Sequence, residues 1–149
     1  MSVTLSYKSS QGKISFNTDI CVLCGTCQYV CPAGAINIEE SSDKKGFDFE
    51  VWHNTCTLCG NCEYFCPTKS IHLSHDTNEI NLQSDKYKNI TYGQVKYVKC
   101  SNCKTDMVKV TNELLLRGFG YINEDIKKLS NLCSDCRAKT TFDKRVKLK

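Results

Sequence analysis

Two prolines, one tryptophan and two methionines in 149 residues leave little room for a proline-rich or low-complexity chain. With 40% hydrophobic and 24% charged residues, wholesale disorder is excluded and one ordinary domain or two very small ones are expected. No stretch approaches the roughly 18 consecutive apolar residues that a membrane helix needs. The opening "MSVTLSYKSSQGKISF" also lacks the apolar h-region of a signal peptide. A reducing, cytoplasm-like compartment is therefore expected. The chain has no Ser-His-Asp set, no phosphate-cradling glycine loop and no flavin or nicotinamide fingerprint, so it is not expected to be an enzyme by itself. What it has in abundance is cysteine. Its twelve make up about 8% of the residues, the level of a cysteine-built scaffold. In a reducing compartment close cysteine pairs read as metal ligands before they read as disulfides.

The net charge of +4 is unevenly spread. Residues 137–149 carry six bases (Arg137, Lys139, Lys144, Arg145, Lys147, Lys149) against Asp143, leaving the remainder at −1. Such a tail is open to several readings: anionic lipid, nucleic acid, an acidic partner, or a solvated terminus.

Residues 21–38, "CVLCGTCQYVCPAGAINI", realign with residues 56–73, "CTLCGNCEYFCPTKSIHL", with nine of eighteen positions identical. One small unit is duplicated. "KISF" and "FDFEVW" alternate ahead of the two cysteine loops, and "AINI" and "SIHL" alternate behind them. These predict half-buried strands with Ile36, Ile38, Ile71 and Leu73 inward. "QYV" and "EYF" leave space for about a turn of helix before the Cys-Pro. "EESSDKKG" reads as the polar connector, and "SHDTNEINLQSDKYKN" as a longer linker.

Within each unit the spacing is C-x2-C-x2-C-x3-C-P: Cys21, Cys24, Cys27, Cys31, Pro32, then Cys56, Cys59, Cys62, Cys66, Pro67. Three thiolates at this spacing can reach three corners of one cubane, and the fourth cysteine of such a run ligates the other cluster. Cys21, Cys24, Cys27 and Cys66 are thus expected to hold one [4Fe–4S] cluster, and Cys56, Cys59, Cys62 and Cys31 the second. Gly25 and Gly60 suit a backbone that passes close to the cluster. A zinc reading is poor, because zinc takes four ligands per site without this exchange. With every iron on a cysteine, the sites pass single electrons and offer no open position. Tyr29, Tyr64, Phe65, Val30, Ile36 and Ile71 are expected to shield the clusters from water, and Trp52 to cap the second loop. His53, His72 and His75 are expected to be surface or strand-face residues. The pattern resembles the bacterial two-cluster ferredoxin domain over about residues 14–73, which implies two short antiparallel strand pairs with two short helices.

Cys100-x2-Cys103 and Cys133-x2-Cys136 form a second kind of site. Two such pairs brought together give a tetrahedron of four cysteines, the usual closed zinc site. Rubredoxin-type iron, a third cluster and metal-free pairs stay open as alternatives. Lys104 and Arg137 stand where a typical knuckle has glycine, which weakens rubredoxin most. "VKYVK" predicts a strand into the first pair. "DMVKVTNELLLR" predicts a helix ending before Gly118, and "NEDIKKLSNL" a helix with Ile126, Leu129 and Leu132 on one stripe.

The combination predicts an α+β fold: a duplicated two-[4Fe–4S] ferredoxin domain (1–75), a linker (76–94), a zinc-ribbon-like four-cysteine module (95–137) and a basic tail (138–149). "CPTKSIHLS", the approach from Trp52 to Cys56 and the late "LCSDCR" resemble the ferredoxin-like subunit of formate hydrogenlyase and hydrogenase-4 complexes. These are membrane-bound group 4 [NiFe] hydrogenases, and the subunit is similar to the two-cluster subunit of complex I. The resemblance implies two [4Fe–4S] clusters, one Zn2+ and electron relay between a donor enzyme and a hydrogenase small subunit. It implies placement on the cytoplasmic face of the membrane. Related subunits often have an extra N-terminal segment that helps attach them, but the residues before Cys21 show no apolar face, so any association is expected through partner subunits. A mobile ferredoxin serving several partners is the alternative. Nucleic acid is not an expected partner, since Lys109, Arg117, Lys127 and Lys128 between the late pairs are balanced by Glu113, Glu124 and Asp125 and no binding motif accompanies the tail.

Overall fold

A computed structural model describes residues 6–8, 12–74, 80–82 and 87–146. It is a mixed helix-and-sheet structure in two compact units, Met1–Val95 and Lys96–Lys149.

In the first unit, β1 (Ser6–Lys8) is followed by β2 (Lys13–Phe16), α1 (Thr26–Tyr29), β3 (Ile36–Glu40) and β4 (Gly46–Trp52). After these come α2 (Asn61–Phe65), β5 (Ile71–Ser74), β6 (Ile80–Leu82) and β7 (Ile90–Lys96). Strand β2 does not pair with β3, the other strand of its own repeat. It pairs antiparallel with β5, placing Ile14 opposite Leu73 and Phe16 opposite Ile71. Strands β3 and β4 form a hairpin with Ile36 opposite Val51 and Ile38 opposite Phe49. The outer strand of each repeat is thus returned to the other repeat. The polar connector becomes the hairpin loop, tightened where Ser41 Oγ donates to Asp43 Oδ1 at 2.6 Å and to the Gly46 carbonyl at 3.1 Å.

The alternation seen in sequence puts Ile14, Ile36, Phe49, Val51 and Ile71 into one core with Cys27 and Cys62. Ile38 and Leu73 pack against its edge. Phe16 stacks on Phe49 with ring centroids 3.7 Å apart. Strand β7 adds to the free side of β4, and β1 pairs with β6. The stretch expected to be a linker therefore contributes strands. His75 lies outside the described residues.

The second unit opens with the hairpin β8 (Val98–Lys99) and β9 (Asp106–Met107), with Lys99 opposite Asp106. Helices α3 (Asn112–Phe119), α4 (Glu124–Ser130) and α5 (Ser134–Val146) complete it. Helix α3 runs through Gly118 and ends at Gly120, which takes the left-handed φ of 75° and donates its amide to the Leu116 carbonyl at 2.8 Å. The stop is thus two residues later than the pattern suggested, at the glycine with the conformation that terminates a helix. Asn123 caps α4 by accepting from the Ile126 amide at 2.8 Å. As far as it is described, the basic tail is the continuation of α5. Among the described residues no helix is long and apolar enough to cross a membrane.

Candidate metal centres

Each cysteine run of the first unit is an irregular loop that enters a short helix. The two loops have nearly the same backbone: Leu23 and Leu58 at φ 52° and 58°, Gly25 and Gly60 at 72° and 75°. A left-handed residue costs an L side chain about 1–2 kcal/mol, so glycine is favoured there. A Cβ at Gly25 or Gly60 would meet no protein atom within 4 Å. Conformation, not crowding by the chain's own atoms, is what the backbone shows to favour glycine at both places.

The loops turn amides onto their own sulfurs. Leu23 N donates to Cys21 Sγ at 3.4 Å and Leu58 N to Cys56 Sγ at 3.4 Å. Ala35 N donates to Cys31 Sγ at 3.2 Å and Ser70 N to Cys66 Sγ at 3.2 Å. Thiolates receive such bonds well, and so do the sulfurs of an iron–sulfur centre.

The thiols influence one another across the repeats. Cys66 raises the pKa of Cys21 and Cys27, and Cys31 raises that of Cys56 and Cys62. Burial is the larger cause at all four, pushing Cys27 up to about 12 and Cys62 to about 11. At Cys66 burial works upward too. There hydrogen bonds from Ser70 and Thr68 outweigh it and bring the thiol below its ordinary value. Cys31, Cys56, Cys59 and Cys62 line one cavity with Ile14, Ile36 and Leu73. An apolar pocket rimmed by four thiols suits a group that neutralises several thiolates at once, because burial disfavours the free thiolates of Cys56 and Cys62.

The aromatic shield is a correction. Tyr29 is 92% exposed, Tyr64 75% and Phe65 52%. At ~100° per residue, Tyr29 lies about 200° round the helix from the buried Cys27, and Tyr64 the same from the buried Cys62. Ile36 and Ile71 are buried and Val30 is half-buried. Trp52 is partly exposed, and its carbonyl accepts from Thr55 N at the start of the second loop. His53 is buried with Nε2 2.7 Å from Thr91 Oγ1, so it is not a surface residue. His72 is exposed and paired with Glu63 Oε1 at 2.9 Å.

In the second unit the sulfurs of Cys100, Cys103, Cys133 and Cys136 all lie within 4.8 Å of one another. A tetrahedral ion with bonds of ~2.3 Å needs sulfurs about 3.8 Å apart, so this set is sized for one ion. Cys103 and Cys133 already stand 3.5 Å apart. The first pair sits in the hairpin turn, where Lys104 takes the left-handed φ of 62° that a knuckle glycine would take. The second pair is not in a hairpin: Cys133 precedes α5 and Cys136 lies in its first turn. Arg137 consequently fills no glycine position. Its Nε donates to the Leu129 carbonyl at 3.1 Å and its Nη2 to the Leu132 carbonyl at 3.0 Å, tying α5 to the end of α4.

Backbone amides of Cys133 and Cys103 hold the Cys100 thiol down at about 6, with Cys133 N 3.3 Å from Cys100 Sγ. The Thr105 hydroxyl and amide lower Cys103. Asn102, whose Nδ2 donates to Cys136 Sγ at 3.4 Å, works to lower Cys136. The neighbouring thiols Cys103 and Cys133 outweigh it and push that group to about 11. Asn102 and Thr105 were invisible as partners in the sequence. So were Thr68 and Ser70, whose only signal is a polar side chain two to four residues after Cys66.

Residues 20–70 match the family described as the 4Fe-4S dicluster domain. No curated protein matches the chain. Over the matched stretch the protein is ferredoxin-like and an iron–sulfur protein.

Proposed function

We propose that this chain is an electron-relay subunit with two [4Fe–4S] clusters and a separate structural zinc site. Cys21, Cys24, Cys27 and Cys66 would hold one cluster, and Cys56, Cys59, Cys62 and Cys31 the other. The observation that carries this is the cavity that Cys31, of the first run, lines together with Cys56, Cys59 and Cys62 of the second, taken with the family match over both runs. When bound, the clusters supply reversible one-electron transfer. The protein's part is to donate amides to the sulfurs, to keep water from the inner faces with Ile14, Ile36 and Ile71, and to leave no ligand position open. An arrangement like this conducts and does not transform a substrate.

Zinc at Cys100, Cys103, Cys133 and Cys136 is favoured by four thiols gathered within 4.8 Å and by a closed all-cysteine set, which suits a structural rather than a catalytic ion. The setting we propose is a membrane-bound redox complex of the formate hydrogenlyase or hydrogenase-4 kind, with the small subunit of a [NiFe] hydrogenase as electron acceptor. The resemblance in "CPTKSIHLS" and "LCSDCR" supports it, as does a compact second unit in addition to the cluster domain. In this reading the second unit docks the relay, and association with the membrane is through partner subunits on the cytoplasmic face.

The test is recovery of the tagged protein from gently solubilised native membranes under anaerobic conditions. Stoichiometric recovery with a nickel-containing core supports the proposal. A nickel-free membrane complex keeps the relay and overturns the hydrogenase. Recovery of the protein alone from the soluble fraction overturns the complex and leaves a mobile ferredoxin.

A further inference from the structure

The two runs are equal in their cysteines and unequal in the residues next to them. After Cys31 and Pro32 come Ala33, Gly34 and Ala35; after Cys66 and Pro67 come Thr68, Lys69 and Ser70. Three residues without a side-chain donor are matched by three that each carry one. The backbone contribution is the same on both sides, an amide at 3.2 Å from the fourth cysteine of each run. The side-chain contribution is not. Ser70 Oγ lies 3.3 Å from Cys66 Sγ, and Thr68 Oγ1 lies 3.8 Å from it. Both hydroxyl residues are buried, at 4% and 3% exposure, so water does not compete for them. The Ser70 side chain also bears on Cys21, a second member of the same set. Lys69 places its ammonium on the carbonyls of Glu63 and Tyr64 at 3.1 and 3.3 Å, where the first repeat has only Gly34.

We propose that the cluster held by the set containing Cys66 has the higher reduction potential of the two, and that the Ser70 hydroxyl is the main cause. This rests on the crossed ligand sets proposed above. Reduction adds one electron and no proton, and part of the added charge falls on the ligand sulfurs. An O–H directed at a sulfur stabilises the reduced form more than the oxidised form and raises the potential. The set containing Cys66 is also the more buried, at Cys21, Cys27 and Cys66 against Cys62 alone in the other, a difference that acts the other way because burial disfavours added charge. Two hydroxyls acting directly on a charge-bearing sulfur outweigh a difference of partial exposure, so the hydrogen bonds set the order.

Ser70→Ala removes the hydroxyl alone, since the bonds of the Ser70 amide to Cys66 Sγ and of Asn17 N to the Ser70 carbonyl are backbone bonds. The full chain, purified anaerobically with its metals, is titrated with a one-electron reductant while EPR follows each cluster. Wild type shows two resolved steps, and Cys66→Ser lacks the upper one. Ser70→Ala keeps both clusters and moves the upper step down by on the order of tenfold in the reduction equilibrium, about 59 mV for a one-electron couple. Ser70→Thr restores it. An unmoved upper step, a shift confined to the lower step, or a single wild-type step overturns the proposal. Iron and sulfide analysis showing fewer than two clusters in wild type overturns the ligand sets, and this proposal with them.

Discussion

Replacing Cys66 by serine separates crossed from uncrossed ligation, because the two arrangements place the damage in opposite repeats. Cys66 belongs to the second run in sequence, yet it acts on Cys21 and Cys27 of the first. Crossed ligation predicts that Cys66→Ser releases the centre held by Cys21, Cys24 and Cys27 and spares the set of Cys56, Cys59, Cys62 and Cys31. Iron should fall from about eight to about four atoms per chain. The position of the loss is read by anaerobic alkylation at about pH 8, followed by peptide mapping. The released thiols should not label alike. Cys24 is exposed and reacts first. Cys27 is buried, and its thiol is pushed up to about 12. At that pKa roughly one part in 10⁴ is thiolate at about pH 8, so it reacts last. Labelling of Cys56, Cys59 and Cys62 with the first run protected would refute the crossed sets. Cys31→Ser is the mirror experiment and should open the second run.

Cys100→Ser should release the late metal, measured as loss of about one zinc per chain, while the absorbance and EPR of both clusters persist; loss of the cluster signals would count against separate sites. The same variant should weaken recovery with partner subunits, and undiminished recovery would remove the docking role. Lys104→Gly relieves a side chain at φ 62° and should stabilise the second unit by about 1 kcal/mol in denaturant titration. No gain, or a loss, would mean that its Nζ bond to the Ser101 carbonyl matters more than the backbone. Phe49→Ala empties the centre of the first core and should cost about 3–5 kcal/mol, seen as loss of cluster absorbance at a lower temperature than in wild type. An unshifted midpoint would show that the stacked Phe16–Phe49 pair does not limit cluster retention.

Much of the first unit was legible because its signals are local. Strand alternation marked "KISF", "FDFEVW", "AINI" and "SIHL" as half-buried strands and turned Ile36 and Ile71 into the core, with Ile38 and Leu73 at its edge, and regular spacing marked the cysteine loops. The pairing of β2 with β5 was not legible: it joins residues more than fifty positions apart, and no local pattern names a distant partner. The aromatic residues misled for a different reason. Tyr29, Tyr64 and Phe65 are apolar enough to be read as core, but a helix of four or five residues has one inner face, and the cysteine occupies it. In the second unit "two CxxC pairs" was read as two equivalent turns. The stretch from Ser134 has enough helix-forming sequence to carry Cys136 into α5, and only the first pair is a hairpin. Arg137 then became a clamp on α4, a role that depends on where α4 ends and so lies beyond any local reading.

The repeats also show a division of labour between ligand spacing and the residues around it. Spacing determines which atoms converge, and it is the same in both halves. The residues after each Cys-Pro determine how charge on those atoms is received, and there the halves differ: Ala35 offers one amide, whereas Ser70 offers an amide and a hydroxyl to the same kind of sulfur. A relay built from two identical sites would hold an electron equally on either, so its partners alone would decide where the electron rests between transfers. Unequal donors give the chain a resting site of its own. The direction of flow still depends on the partners' potentials, because an internal step of potential fixes where an electron waits and not which end it leaves from. A substitution at Ser70 should therefore alter the waiting position without altering which cysteines hold iron, whereas Cys66→Ser should remove the waiting site together with its cluster.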